Sequence, residues 1–211
     1  MKISILCSDA THPVNAYLNQ WISSHAMHEV ALMRRRDELD SGDLLFLISC
    51  SEIIDREVRD RFKKVLVIHA SDLPLGRGWS PHVWQIVEGS ENVCVTLLEA
   101  EDHIDSGDIW NKIWVAIPVD ALWTEINDII FEAECSLMDY AVENFHSIKP
   151  TQQNRSIPPT YYPKRTPADS ELDPQKSIAD QFDLIRVCDP DRFPAYFSLR
   201  GSEYIIRLER K

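Results

Sequence analysis

Apolar residues recur along the first 150 residues in two alternating rhythms. Unbroken runs such as Ile3-Ser4-Ile5-Leu6, Leu44-Leu45-Phe46-Leu47-Ile48 and Val65-Leu66-Val67-Ile68 read as strands buried on both faces. Between them, apolar residues recur three and four apart. Tyr17, Leu18, Trp21 and Ile22 mark one such helix, with Thr11 as its cap and Pro13 in its first turn. Leu122, Ile126, Ile130, Ala133, Leu137 and Ala141 mark one face of a long helix over Ala121–Ile148. The pattern predicts strands at Met1–Cys7, Glu29–Met33, Asp43–Ser49, Val65–His69, Val93–Glu99 and Ile109–Ile117. Short helices are predicted at Asp55–Phe62 and at Pro81–Glu88, the second ended by Gly89. Alternation of this kind predicts an α/β fold, a mostly parallel sheet with helices on both faces, over residues 1–150.

The rhythm then breaks. Thr151–Ser156 is polar, and Ile157-Pro158-Pro159-Thr160-Tyr161-Tyr162-Pro163 opens an extended, proline-rich stretch, so 151–170 reads as a linker. Residues 171–211 predict a small helix and hairpin subdomain: a helix over Ser177–Val187, then strands Ala195–Leu199 and Tyr204–Leu208 about Arg200-Gly201-Ser202.

Charge narrows the partners. The 211 residues carry a net charge of −12, with Arg34-Arg35-Arg36 and Lys164-Arg165 as local basic clusters, which disfavours nucleic acid. No apolar run reaches the roughly 20 residues of a membrane span, and the start lacks a signal peptide's shape, so no membrane partner is expected. The five cysteines, none in a C-x-x-C pair, read as reduced thiols of a cytoplasmic protein, and no metal site is expected.

Candidate chemistry concentrates in residues 69–84. The strand ending at His69 delivers an imidazole to a loop stiffened by Pro74 and Pro81, while Gly76 and Gly78 permit close backbone approach. A second, acidic turn follows at Asp102-His103-Ile104-Asp105-Ser106-Gly107-Asp108. One histidine and one aspartate on adjacent strand-end loops make a proton-transfer pair.

His69, Ser71, Leu73, Pro74, Arg77 and Gly78, followed by Asp105-Ser106-Gly107, match a pattern of Asn-x-His-x-Ser-x-Leu-Pro-x-x-Arg-Gly and then Asp-x-Gly. The chain thereby resembles the formyltransferase family, and its YYPKRTPADSELD stretch resembles the sugar N-formyltransferases. The resemblance implies a Rossmann-like core and a formyl donor, 10-formyltetrahydrofolate, with no metal. It casts His69 as general base and proton shuttle and Asp105 as its orienting partner. The family's asparagine falls on Val67, which has no amide to hold the formyl oxygen. Donor contacts are expected from Ser51, Glu52, Ile53, Asp102 and Ile104, largely through backbone groups. Acceptor contacts are expected from Ser71, Arg77, Trp79, Tyr161, Tyr162 and Lys164, although Arg77 and Trp79 also suit loop packing. Acid balance and tail point to a small-molecule amino sugar, nucleotide-linked or an amino nonulosonic acid, and the resemblance admits a homodimer. The alternative is a folate- or sugar-binding protein impaired by Val67.

Overall fold

The computed structural model describes residues Met1–Lys211. Strand β1 (Lys2–Leu6) is followed by helix α1 (Val14–Ser24), β2 (Glu29–Met33), β3 (Gly42–Leu47), the single turn α2 (Arg56–Arg59) and β4 (Phe62–His69). A two-residue strand β5 (Arg77–Gly78) precedes α3 (Pro81–Val87), β6 (Asn92–Glu99), β7 (Ile109–Ala116) and the long helix α4 (Trp123–Asn144). The chain ends with β8 (Tyr161–Tyr162), α5 (Phe182–Arg186) and the hairpin β9 (Ala195–Leu199) and β10 (Ser202–Ile206).

Six strands form one sheet in the order β2-β1-β3-β4-β6-β7. The first four run parallel, and β6 and β7 are antiparallel to their neighbours. This is the Rossmann-like α/β fold that the alternating pattern and the resemblance imply. Alternation along the strands divides the core. Ile3, Ile5, Phe46, Leu66 and Ile68 belong to a cluster of 31 buried residues under α1 and α4, while Leu45, Leu47 and Val65 meet α2 in a cluster of eight. Each fully buried Leu, Ile or Phe stabilises the fold by about 1.5–3 kcal/mol relative to exposure. Leu172, Ile185, Val187, Cys188 and Ala195 from 171–211 lie in that same larger cluster, so the tail packs on the core. No helix is long and apolar enough to cross a membrane.

Several boundaries differ from expectation for identifiable reasons. Thr11 does not cap α1; its N–H and hydroxyl both donate to Asp9 Oδ1, and the helix starts at Val14. Strand β4 begins three residues early because Phe62 packs into the smaller cluster, which leaves α2 one turn. The helix expected over Ser177–Val187 starts as a 3₁₀ turn at Ala179–Gln181 and becomes α5 only at Phe182. The hairpin closes on Arg200-Gly201, with φ of 53° and 81°, so β10 starts at Ser202 instead of Tyr204. The proline-rich linker also forms a strand: β8 pairs in parallel with β5, Tyr161 opposite Arg77.

Candidate active site

Strand order reverses between β1 and β3, the point at which open α/β sheets leave a crevice at their carboxyl ends. The loops after β1 and β3 meet there, Ser51 N–H donating to Ser8 Oγ at 2.9 Å. His69 ends the next strand, β4, and the 71–80 loop folds back over it. The imidazole is 7% exposed, and its Nε2 donates to Gly76 O at 2.8 Å. Since a carbonyl only accepts, that nitrogen carries a proton. Nδ1 faces Asp105 Oδ2 at 3.6 Å, and the same carboxylate oxygen accepts the Gly78 N–H at 2.9 Å. The loop and the acidic turn are thus joined through the two residues singled out as a pair.

Backbone conformation explains the glycines. Gly78 has φ 101°, and a Cβ there would lie 2.4 Å from Tyr162 O, so only glycine lets β5 pair with β8. At Gly107 a Cβ would lie 1.9 Å from Glu99 O, which fixes the acidic turn flat against the end of β6. Asp105 is a non-glycine residue at φ 53°, a strained conformation held by its bond to Gly78. A residue absent from the sequence reading holds the frame. Gln153, 8% exposed, donates from Nε2 to Asp105 O at 2.8 Å and Gly107 O at 3.0 Å, and its Oε1 accepts from Arg77 at 2.7 Å. Nothing in local composition distinguishes it from neighbouring Gln152, because its role depends on contacts distant in sequence.

The other expected residues fall into two groups. Loops 50–54 and 101–104 are tied together by Arg59, which donates to Ile54 O and pairs with Asp102. The Asp102 carboxyl is consequently held below the usual range. The Glu52 carboxylate accepts the Arg36 N–H, so the two acids are already engaged with the chain. Ile53 and Ile104 stand 79% and 65% exposed on these loops, and the N–H groups of Ile53, Ile54 and Ile104 make no bond within the chain. Exposed apolar side chains thus stand beside free backbone donors on these loops.

Among the acceptor candidates, Ser71 is 1% exposed with a sealed, unpartnered hydroxyl, so it supports the loop from beneath. Tyr162 stacks on Trp84 and donates to Glu88 at 2.7 Å; burial and that carboxylate push its hydroxyl to about 12. Lys164 lies 4.8 Å over the Trp79 ring, and Tyr161, 62% exposed, accepts from Arg77 at 3.4 Å. Val67, half-buried and two residues before His69 on the same face, packs against the smaller cluster.

His82 lies within electrostatic reach of His69, and His12 within reach of His82. Burial pushes His12 down to about 4, reinforced by Arg192; burial likewise pushes His82 to about 4, reinforced by His12, His69 and Arg165. Both are neutral at physiological pH. His82 lay in plain view on the 69–84 stretch, but nothing in its spacing marked it as a neighbour of His69. Beside the acidic turn is a cleft of about 290 Å³, whose lining includes Pro74, Arg77, Asp108, Gln152, Arg155 and Pro158 but neither His69 nor Asp105.

Comparison with known proteins identifies the family. A family model described as formyl transferase matches residues 3–142. The methionyl-tRNA formyltransferase of Protochlamydia amoebophila (strain UWE25) is 27% identical over 174 residues, 80% of this chain and 54% of that protein. The chain therefore spans about half the length of that curated relative. Among solved structures, methionyl-tRNA formyltransferase from Clostridium thermocellum superposes with a TM-score of 0.80 at 20% identity, covering 98% of this chain and 99% of that one. HypX from Aquifex aeolicus in complex with tetrahydrofolic acid gives 0.77 at 24% identity, over 96% of this chain and 36% of that one. A sugar N-formyltransferase from Shewanella sp FDAARGOS_354 gives 0.75 at 18% identity, over 100% and 98%. At these identities the structural likenesses speak for the fold.

Proposed function

The chain belongs to the formyl transferase family, and on that premise we propose that it moves a formyl group from 10-formyltetrahydrofolate to the amine of an amino sugar. The observation that carries the reading is the His69–Asp105 pair, 3.6 Å apart and sealed beneath a strand-end loop. In the transfer the acceptor nitrogen bonds to the formyl carbon, the bond from that carbon to the folate nitrogen breaks, and one proton passes from the amine to the leaving nitrogen. His69 carries that proton, a contribution of about 10²–10⁴-fold. Asp105 gives the transiently charged ring a counter-charge and fixes its orientation. Because Nε2 is bonded to Gly76 O, turnover requires that carbonyl to yield its place to a reacting group.

The donor's ring lies between loops 50–54 and 101–104, against Ile53 and Ile104. Residues 1–150 carry the chemistry, while 151–170 and 171–211 frame the acceptor side, where Tyr161 and Trp79 are exposed. The amino sugar is supported by the net charge of −12, unfavourable for tRNA. Identity to a methionyl-tRNA enzyme favours a second reading, in which the acceptor is a charged tRNA.

The deciding experiment follows tetrahydrofolate release from 10-formyltetrahydrofolate with nucleotide-linked amino sugars, amino nonulosonic acids and methionyl-tRNA as acceptors. A signal that requires one of the sugars is expected. A signal with methionyl-tRNA alone overturns the sugar reading, and silence with folate binding intact overturns turnover in favour of an impaired binder.

A further inference from the structure

The cleft beside the acidic turn carries three charged side chains, Arg77, Arg155 and Asp108, and none has an ion-pair partner within the chain. Arg35, Arg36, Arg59, Arg61, Arg186 and Arg192 each face a carboxylate, whereas Arg34 and Arg165, like Arg77, donate to neutral groups of the chain. Arg77 is the extreme case. Its guanidinium donates only to the neutral oxygens of Gln153 and Tyr161, and its Nε is shielded from solvent without any acceptor. A half-buried cation that meets only neutral acceptors leaves its charge uncompensated, and it draws an anion from the open side. Arg155 is exposed across the cleft and supplies a second guanidinium. Of the remaining walls, Gln152, Asn154 and Ser106 offer hydrogen bonds, and Pro74 and the Ile157–Pro159 stretch add apolar surface.

We infer that this cleft binds an anionic group, a phosphate or a carboxylate, gripped between Arg77 and Arg155, and that the group is the handle of the acceptor. Guanidinium forks match both anions bidentately. Asp108, on the same wall, opposes the anion and keeps the grip weak enough for release. Position gives the handle its use. Gln153 bonds Arg77 with one end and the carbonyl of Asp105 with the other, so the anion sits one side chain away from the turn that carries Asp105. The identification of the anion's owner as the acceptor rests on the proposed transferase reading; anion binding itself does not.

The test is calorimetric titration of the full chain with inorganic pyrophosphate, standing for a diphosphate-linked sugar, and with glucuronate, standing for a sugar acid. One of them is expected to bind at a single site, more weakly at high salt. Arg77→Gln and Arg155→Gln should each weaken it about tenfold, the loss of one charge-assisted contact. Asp108→Asn should tighten it several-fold. Arg155 is exposed, so its variant keeps the fold and preserves the test if Arg77→Gln does not. Stronger binding of pyrophosphate assigns the phosphate source, and stronger binding of glucuronate the carboxylate. Binding of neither probe, or binding indifferent to all three substitutions, overturns the site. An anion site without formyl transfer would leave the cleft standing and remove the transferase reading, and the reverse result would do the opposite.

Discussion

At the scale of single residues, four side chains shape the end of β4: His69, Asp105, Gln153 and Val67. His69 and Asp105 were legible from the sequence because their residue types and the intervening loop form a long, specific pattern. Gln153 was not legible, since its three partners lie 46 to 76 residues away along the chain. Val67 is the informative departure. It stands two residues before His69 on the same strand face, where an amide would reach toward the reacting carbonyl. Without an amide at this position, the oxygen that gains negative charge needs a donor from elsewhere. Val67→Asn should raise turnover about 10²-fold, the converse of the loss seen when one such donor is removed. It should also lower stability by about 1 kcal/mol, because a polar group replaces a methyl pair packed against Leu47 and its neighbours. Steady-state rates and urea unfolding of the same preparation check both parts. An unchanged rate with the amide in place would mean that another group already serves the oxygen.

Elements place these residues through pairings that local patterns carry only in part. Strands β1, β3 and β4 follow directly from apolar runs buried on both faces. The β5–β8 pair does not, because two residues of a Gly-rich loop and two of a proline-rich segment have no periodicity to read. The pair exists because Gly78 brings its backbone within contact of Tyr162. The acidic turn depends on close approach in the same way, at Gly107. Gly107→Ala would drive a Cβ into the backbone of β6, where no flexible side chain can yield. The variant should lose more than ~2 kcal/mol of stability. Because Gln153 and Asp105 are anchored on that turn, activity should fall further than the unfolded fraction accounts for. Thermal unfolding and turnover measured below the melting range separate the two effects. Full stability in this variant would contradict the packing described here.

The whole molecule responds to pH through the burial of two histidines and one glutamate. His12 and His82 titrate near 4 when folded and 6.5 when unfolded. Between those values the unfolded chain binds more protons, so their contribution to stability rises with pH and is complete above 6.5. Glu134 acts in the opposite sense. Its Oε2 is sealed without a partner although part of the side chain is exposed, and burial raises its carboxyl from 4.5 to about 8. From 4.5 to 8 the folded state holds the proton more tightly, so stability falls as pH rises through that window. Melting temperature should therefore peak in mildly acid solution. Glu134→Gln should raise it by roughly 4 °C at pH 8. At pH 4.5 the same substitution should change it little, which calorimetry at the two values checks. None of this was visible in the sequence, where Glu134 is one of many acids in a chain of net charge −12. The claim on which the rest depends is that His69, beside Asp105, moves the proton in formyl transfer. The direct measurement is tetrahydrofolate formation from 10-formyltetrahydrofolate and the responding acceptor by wild type and His69→Asn, with folate affinity measured alongside. The account predicts a turnover loss of about 10²–10⁴-fold with affinity unchanged. Turnover within a few-fold of wild type in the variant would contradict it.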